Sequence, residues 1–310
     1  MIYTVNGPIT KDQMKAALCH EHFKWETDEN YANQLYFDRK YNDAKIEEAF
    51  QALLPLLQKL YASGCRTIAE ASPPIGGQDI KLLRKLSLAS KINIIPCTGF
   101  NLPKYVYSIH SKKYTEQLAA QWIKDFESGL DTLDGVTVRP GHIKLLLDKG
   151  KLSDVDREML RAAVMANKKT GIPIHCHILE ATMAEEVMDL LEREEADFGK
   201  FLWSHTLNDK NNDVIKRALK LGIWLGVDMI KKKAYEENMN FIKEAIAGGF
   251  ENRILLSQDY ELYDEIIAHG ENHPCASFFT DFIPYCISNG ISADTLERII
   301  SQNPAEFFSF

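Results

Sequence analysis

What constrains this chain most is an alternation that runs from end to end. Short apolar runs of strand length take turns with amphipathic segments of helical length. The strand-like runs are 16–22, 65–71 (CRTIAEA), 92–97 (INIIPC), 142–147 (HIKLLL), 172–178 (IPIHCHI), 200–204 (KFLWS), 223–227 (IWLGV) and 253–258 (RILLSQ). Helical patterns fall at 44–63, 78–90, 114–130, 153–169, 182–196, 211–221, 235–248 and 274–289. In LSDVDREMLRAAVMANKKTG, Ser153 or Asp154 can cap the first turn and Gly171 follows the last, while Met159, Leu160, Ala163 and Val164 make one apolar face. A final helix is expected from Ser292 to Ser301, halted by Asn303-Pro304. Strands that alternate with helices are parallel and joined by crossovers. Eight such units predict an α/β fold, a closed (β/α)8 TIM barrel, with a short N-terminal extension and a C-terminal helix. An open doubly wound sheet would carry a glycine-rich turn after its first strand, whereas here that strand ends in His-Glu-His.

The 310 residues suit one such barrel, and the expectation is a single domain over 1–310. A net charge of −8 argues against nucleic acid as a partner, which needs a basic surface. The start MIYTVNGPIT lacks the charged n-region and apolar run of a signal peptide, and no apolar stretch approaches the roughly 20 residues of a membrane helix. Six cysteines at 19, 65, 97, 176, 275 and 286 have no CxxC spacing and sit in apolar surroundings, as free thiols of a reducing compartment do. A cytoplasmic protein that docks neither membrane nor nucleic acid is expected.

The active site of a barrel lies at the C-terminal ends of its strands. Strand one ends in LCHEHF, where strict alternation would put His20 and His22 on one face and Cys19 and Glu21 on the other. Strand four carries Lys144 inside an apolar run. Strand five carries His175 and His177, strand six ends at His205, and strand eight at Asp259. Imidazoles and carboxylates converging from separate strands are what a catalytic metal site requires. Each residue also has an ordinary role: a hydrogen-bonded core histidine, an outward-facing lysine, an aspartate capping the next helix. The case rests on five strand ends pointing the same way.

With these residues in place, the sequence resembles the phosphotriesterase-related proteins of the amidohydrolase superfamily, which include phosphotriesterase-like lactonases. The similarity is carried by TVNGPI (4–9), HEH (20–22), GCRTIAEASPPIGGQD (64–79), CTGF (97–100), HIKLLLD (142–148), TGIPIHCH (170–177), SHT (204–206), LGVD (225–228), RILLSQD (253–259) and QNPAEFF (302–308). The resemblance implies a binuclear metal centre. His20 and His22 would hold the more buried ion with Asp259, and His177 and His205 the more exposed one. Lys144 would bridge the two divalent ions (zinc, manganese or cobalt) as a carboxylated lysine. His177 is chosen over His175 because the family's P-x-x-x-H spacing from Pro173 falls there; His175 remains a rival on the same face.

The reaction implied is hydrolysis by a metal-bridging hydroxide, with catalytic Asp259 taking the water's proton and passing it to the leaving group. In members resembling quorum-signal lactonases a tyrosine follows the strand-three TG by two residues and an arginine follows the strand-seven GLD. Here those places hold Asn101 and Met229, which counts against long-chain acyl homoserine lactones. The loop after strand seven reads MIKKKAYEEN, in a region where β/α barrels often bind phosphate. Lys231 and Lys233, with Asn101, are the candidate substrate-binding residues; the alternative for the lysines is a solvated charge run. The reading is a lactonase acting on a small, polar, phosphorylated sugar lactone. A phosphotriesterase is the alternative and a non-catalytic barrel a distant third. By resemblance the protein is a homodimer.

Overall fold

The structure, a computed structural model, describes residues 1–25, 41–100, 114–147 and 149–310. The chain opens with an antiparallel hairpin, β1 (Ile2–Thr4) and β2 (Gly7–Ile9), and a short helix, α1 (Lys11–Met14). Then come β3 (Ala17–Glu21), α2 (Asp43–Ala62), β4 (Thr67–Glu70), α3 (Ile80–Ser90), β5 (Asn93–Ile95), β6 (Cys97–Phe100) and α4 (Tyr114–Ser128). A second hairpin, β7 (Asp131–Leu133) and β8 (Val136–Val138), precedes β9 (His142–Leu146), α5 (Asp154–Thr170), β10 (Ile174–His177), α6 (Ala181–Arg193) and β11 (Phe201–Ser204). The rest is α7 (Asn212–Leu221), β12 (Trp224–Val227), α8 (Tyr235–Gly248), β13 (Ile254–Leu256), α9 (Leu262–His269), α10 (Ile283–Ser288), α11 (Ala293–Glu297) and α12 (Asn303–Phe308).

The barrel strands pair in parallel in the order expected of a (β/α)8 barrel. One run is β3-β4-β5 and the other β6-β9-β10-β11-β12-β13. Strand three is split because Pro96 has no N–H to give: β5 pairs with β4, and β6, beyond the proline, pairs with β9. Closure occurs just past β13, where Asp259 N–H donates to His20 O (3.1 Å), His22 N–H to Tyr260 O (2.9 Å) and Leu262 N–H to His22 O (2.7 Å).

Caps follow the sequence. Ser153 and Asp156 form a capping box at the start of α5, and Gly171 ends it at φ 81°. The helices bury apolar faces on the outside of the barrel, with Leu53 and Leu57 of α2 and Leu83 of α3 fully covered. Each such leucine contributes about 1.5–3 kcal/mol on burial. The barrel interior is a separate cluster that includes Ala17, Cys19, Ala69, Ile95, Leu202 and Leu255, closed at its floor by Ile2, Met14, Phe307 and Phe308. No described helix is long and apolar enough to cross a membrane.

Three local expectations are corrected. The β3–β4 register slips between Leu18 and Glu21, so strict alternation fails. Cys19 packs in the barrel interior with Ala69 and Leu255, yet His20 also turns inward, its ring 4.6 Å from that of His175. A bulge re-aims a side chain in this way. The last helix does not halt at Asn303-Pro304 but runs on to Phe308, because the widened turn Arg298–Gln302 precedes Pro304 and removes the clash a proline makes with a regular helix. The helix expected at 274–289 begins in the same manner, with the widened turn Phe278–Phe282 just before Pro284.

Candidate metal centre

At the C-terminal mouth of the barrel, the strand ends bring His20, His22, Lys144, His177, His205 and Asp259 together. His20 Nε2 lies 2.6 Å from Lys144 Nζ and 3.4 Å from Asp259 Oδ1. His22 Nε2 lies 3.3 Å from Asp259 Oδ1. His205 Nε2 lies 2.7 Å from His177 Nδ1 and 3.9 Å from Asp259 Oδ2. His205 and Asp259 stand at φ 64° and 53°, left-handed conformations that side chains seldom adopt and that sites often impose. Gly99 on β6 is required by close approach, since a Cβ there would sit 2.0 Å from Lys144 O.

The opposite ring nitrogens are tied down. Nδ1 of His20 and of His205 face the two oxygens of Asp228, at 3.0 and 2.8 Å. Nδ1 of His22 faces Ser72 Oγ at 2.8 Å. Two further carboxylates brace the backbone. Glu21 accepts from Ser257 Oγ (2.8 Å) and from the N–H groups of Gln258 (2.9 Å) and Tyr260 (2.8 Å), which flank Asp259. Glu70 accepts from the N–H groups of Phe23 (3.0 Å) and Ser72 (2.6 Å).

Electrostatics fit a place for cations. Burial pushes the pKa of His20 and His22 down, and that of His177 to about 2, so these rings are neutral with a lone pair to offer. Burial opposes charge on His205 too, but the adjacent Asp228 carboxylate wins and raises its pKa. Asp259 is held well below the carboxylate range by His20, His22 and His205 against the effect of its own burial. Lys144 is 2% exposed, and desolvation lowers its pKa. Among the described residues no carboxylate oxygen lies within 4 Å of its ammonium nitrogen. Two groups of three donors, His20-His22-Asp259 and His20-His205-Asp228, have ligand atoms close enough to share an ion. Neutral imidazoles, an ionised carboxylate and a buried amine are a donor set that divalent ions complete.

Of the two strand-five histidines, His177 enters this cluster. His175 lies beneath it, fully buried, with no hydrogen-bond partner on either ring nitrogen among the described residues. Lys231 is half-buried with its ammonium 4.7 Å from the Tyr260 ring centre, and Lys233 is exposed in the short turn Lys232–Ala234. Asn101 lies outside the described residues. A cavity of about 290 Å³ beside His205 is lined by Leu207, Asn208, Met229, Glu237 and Asn238 among others.

Sequence reasoning passed over Asp228, Glu21, Glu70 and Ser72. Asp228 had a usable signal, a carboxylate at the end of strand seven in LGVD, as Asp259 is at the end of strand eight. Glu21 had a weaker one, an acid inside an apolar strand.

A family model described as Phosphotriesterase family matches residues 1–308. The chain is 26% identical over 312 residues to an aryldialkylphosphatase of Saccharolobus solfataricus, covering 94% of each chain. It is 25% identical over 256 residues to the phosphotriesterase homology protein of Escherichia coli, covering 81% of this chain and 86% of that protein. It is 22% identical over 351 residues to an N-acetyltaurine hydrolase of Xenopus tropicalis, covering 100% of this chain and 98% of that protein.

Proposed function

This chain belongs to the phosphotriesterase family, and on that premise we propose that it is a single-domain hydrolase whose centre holds two divalent ions and opens a small polar lactone. The observation that carries the reading is the meeting of six donors from five strands at one barrel mouth, with their far nitrogens tied to Asp228 and Ser72. His20, His22 and Asp259 would hold one ion, and His177 and His205 the other. Lys144 would lie between them as a carbamate, formed when its neutral amine adds carbon dioxide and releases a proton. Burial favours the neutral amine this addition needs. Bound there, a pair of ions supplies hydroxide at neutral pH and polarises the substrate's carbonyl or phosphoryl oxygen. Zinc suits the nitrogen-rich set; manganese and cobalt are accepted by the same donors.

Asp259, set beside His20, His22 and His205, would take the proton of the attacking water and hand it to the leaving oxygen. Lys231, at the mouth beside Tyr260, and Lys233 would receive a phosphate on the substrate as point charges. Asn101, in the sequence after strand three, is kept as a proposed substrate-binding residue. The alternative substrate, a phosphotriester, is favoured by the aryldialkylphosphatase relative, and the N-acetyltaurine hydrolase relative supports testing an amide as well. The six cysteines are free and buried, which supports a reducing, cytoplasmic setting. A homodimer is proposed from the family resemblance alone and is checked by sedimentation.

The test is metal analysis of purified protein together with a panel of plain and phosphorylated sugar lactones, a neutral phosphotriester and N-acetyltaurine. About two divalent ions per chain and chelator-sensitive lactone opening are expected. Lys231→Ala and Lys233→Ala should each cost about tenfold on the phosphorylated lactone, as loss of a hydrogen bond to a charged group does. Equal rates on both lactones, unmoved by those changes, remove the phosphate. Turnover of the phosphotriester or amide alone replaces the lactone.

A further inference from the structure

Asp228 is buried, and each of its oxygens faces a different imidazole. Oδ2 takes Nδ1 of His20 at 3.0 Å, and Oδ1 takes Nδ1 of His205 at 2.8 Å. The backbone N–H of His205 also donates to the carboxylate, at 2.9 Å to Oδ1 and 3.2 Å to Oδ2. A neutral imidazole has one N–H and one lone pair. A carboxylate facing Nδ1 keeps the proton there and leaves the Nε2 lone pair free for a cation. In both rings Nε2 is the atom turned into the cluster, 2.6 Å from Lys144 Nζ in His20 and 2.7 Å from His177 Nδ1 in His205. His22 is oriented independently, through Ser72.

On the reading above, His20 serves one ion and His205 the other. Resting on that reading, we infer that Asp228 is a positioning residue that sets the tautomers of both His20 and His205, and so prepares both ion sites.

Asp228→Asn separates the two duties. An amide offers one acceptor oxygen and one NH2 group. The oxygen belongs beside His205, where the ring Nδ1–H and the backbone N–H both donate to Oδ1. The NH2 then faces His20, which must turn its Nδ1 lone pair to it and carry its proton on Nε2, where no cation can bind. The ion held by His20 with His22 and Asp259 is therefore the one weakened. Asp228→Ala releases both rings.

The experiment reads zinc content and binding by titration, and the ring protons of His20 and His205 by proton–nitrogen correlation on the full zinc-loaded chain. Wild type should bind two ions, and both rings should carry their protons on Nδ1. Asp228→Asn should bind one of the ions about 10–100-fold more weakly, the usual cost of losing such a partner, with the Nδ1 proton of His20 gone and that of His205 kept. Two ions bound at wild-type affinity by Asp228→Asn overturn the inference and leave the proposed function intact. A wild-type His20 or His205 protonated on Nε2, which needs no variant to fold, overturns the inference and the proposed ligand set together. A wild-type protein that takes up no zinc overturns the proposed function itself.

Discussion

Nζ of Lys144 lies 2.6 Å from Nε2 of His20, and both side chains are shut inside the barrel. An ammonium in such a place is costly unless compensated, and with no carboxylate oxygen within 4 Å among the described residues the site favours a modified or neutral amine. Protein incubated with carbon-13 bicarbonate should show a carbamate resonance, absent from Lys144→Ala. That variant should lose at least about 100-fold in kcat/KM, above the range seen for merely supporting groups. A fully active Lys144→Ala would mean that the lysine holds nothing.

Asp259 should matter to the chemical step more than to binding. Asp259→Asn removes the proton acceptor, and kcat should fall about 10²–10⁴-fold, the usual contribution of general acid–base catalysis. Steady-state kinetics on the lactone found active should show this with KM changed far less. A kcat within a few-fold of wild type would assign the proton transfer elsewhere.

Glu21 should reveal itself in stability. Its carboxylate receives Ser257 Oγ and the amides of Gln258 and Tyr260, the bonds that tie strand one to strand eight. Each buried donor left unpaired costs about 1–3 kcal/mol. Denaturant unfolding of Glu21→Ala should thus show a loss of roughly 3 kcal/mol or more, and Glu21→Gln a smaller one because its amide oxygen still accepts. An unchanged midpoint for Glu21→Ala would mean that barrel closure does not depend on it.

Glu70 carries a pH signature. Burial lifts its pKa from 4.5 to about 7, against the pull of Ser72, Phe23 and Lys144. The native state therefore keeps a proton that the unfolded chain has already released between these values. Its stabilising effect is complete below 4.5 and is lost as pH climbs to about 7. The slope is at most about 1.4 kcal/mol per pH unit. Unfolding of chelated protein should weaken across that window more steeply in wild type than in Glu70→Gln. Parallel curves would place the proton elsewhere.

Much of this protein was legible in its sequence because the relevant signals are local. Two-residue and 3.6-residue periodicities mark strands and helices within a few turns of chain, and Ser153 and Gly171 announce the ends of α5. Polar residues at strand ends marked the candidate ligands, since a barrel carries every strand end to one mouth. The hairpin at β7 and β8 also had a local signal that was not used, the Asp134-Gly135 pair at φ 49° and 78°.

Only the folded chain decided the rest. Asp228 meets a histidine 208 residues away, and Glu21 meets Ser257 at a distance of 236. No periodicity records such partners, because they exist only once the barrel has closed. The bulge that turns both Cys19 and His20 inward, and the widened turn that lets a helix pass Pro304, were likewise set by packing that outweighed local preference. Placing His177 in the cluster and His175 beneath it needed the depth of each residue along the barrel axis. Alternation along a strand cannot supply that depth, since both histidines share a face.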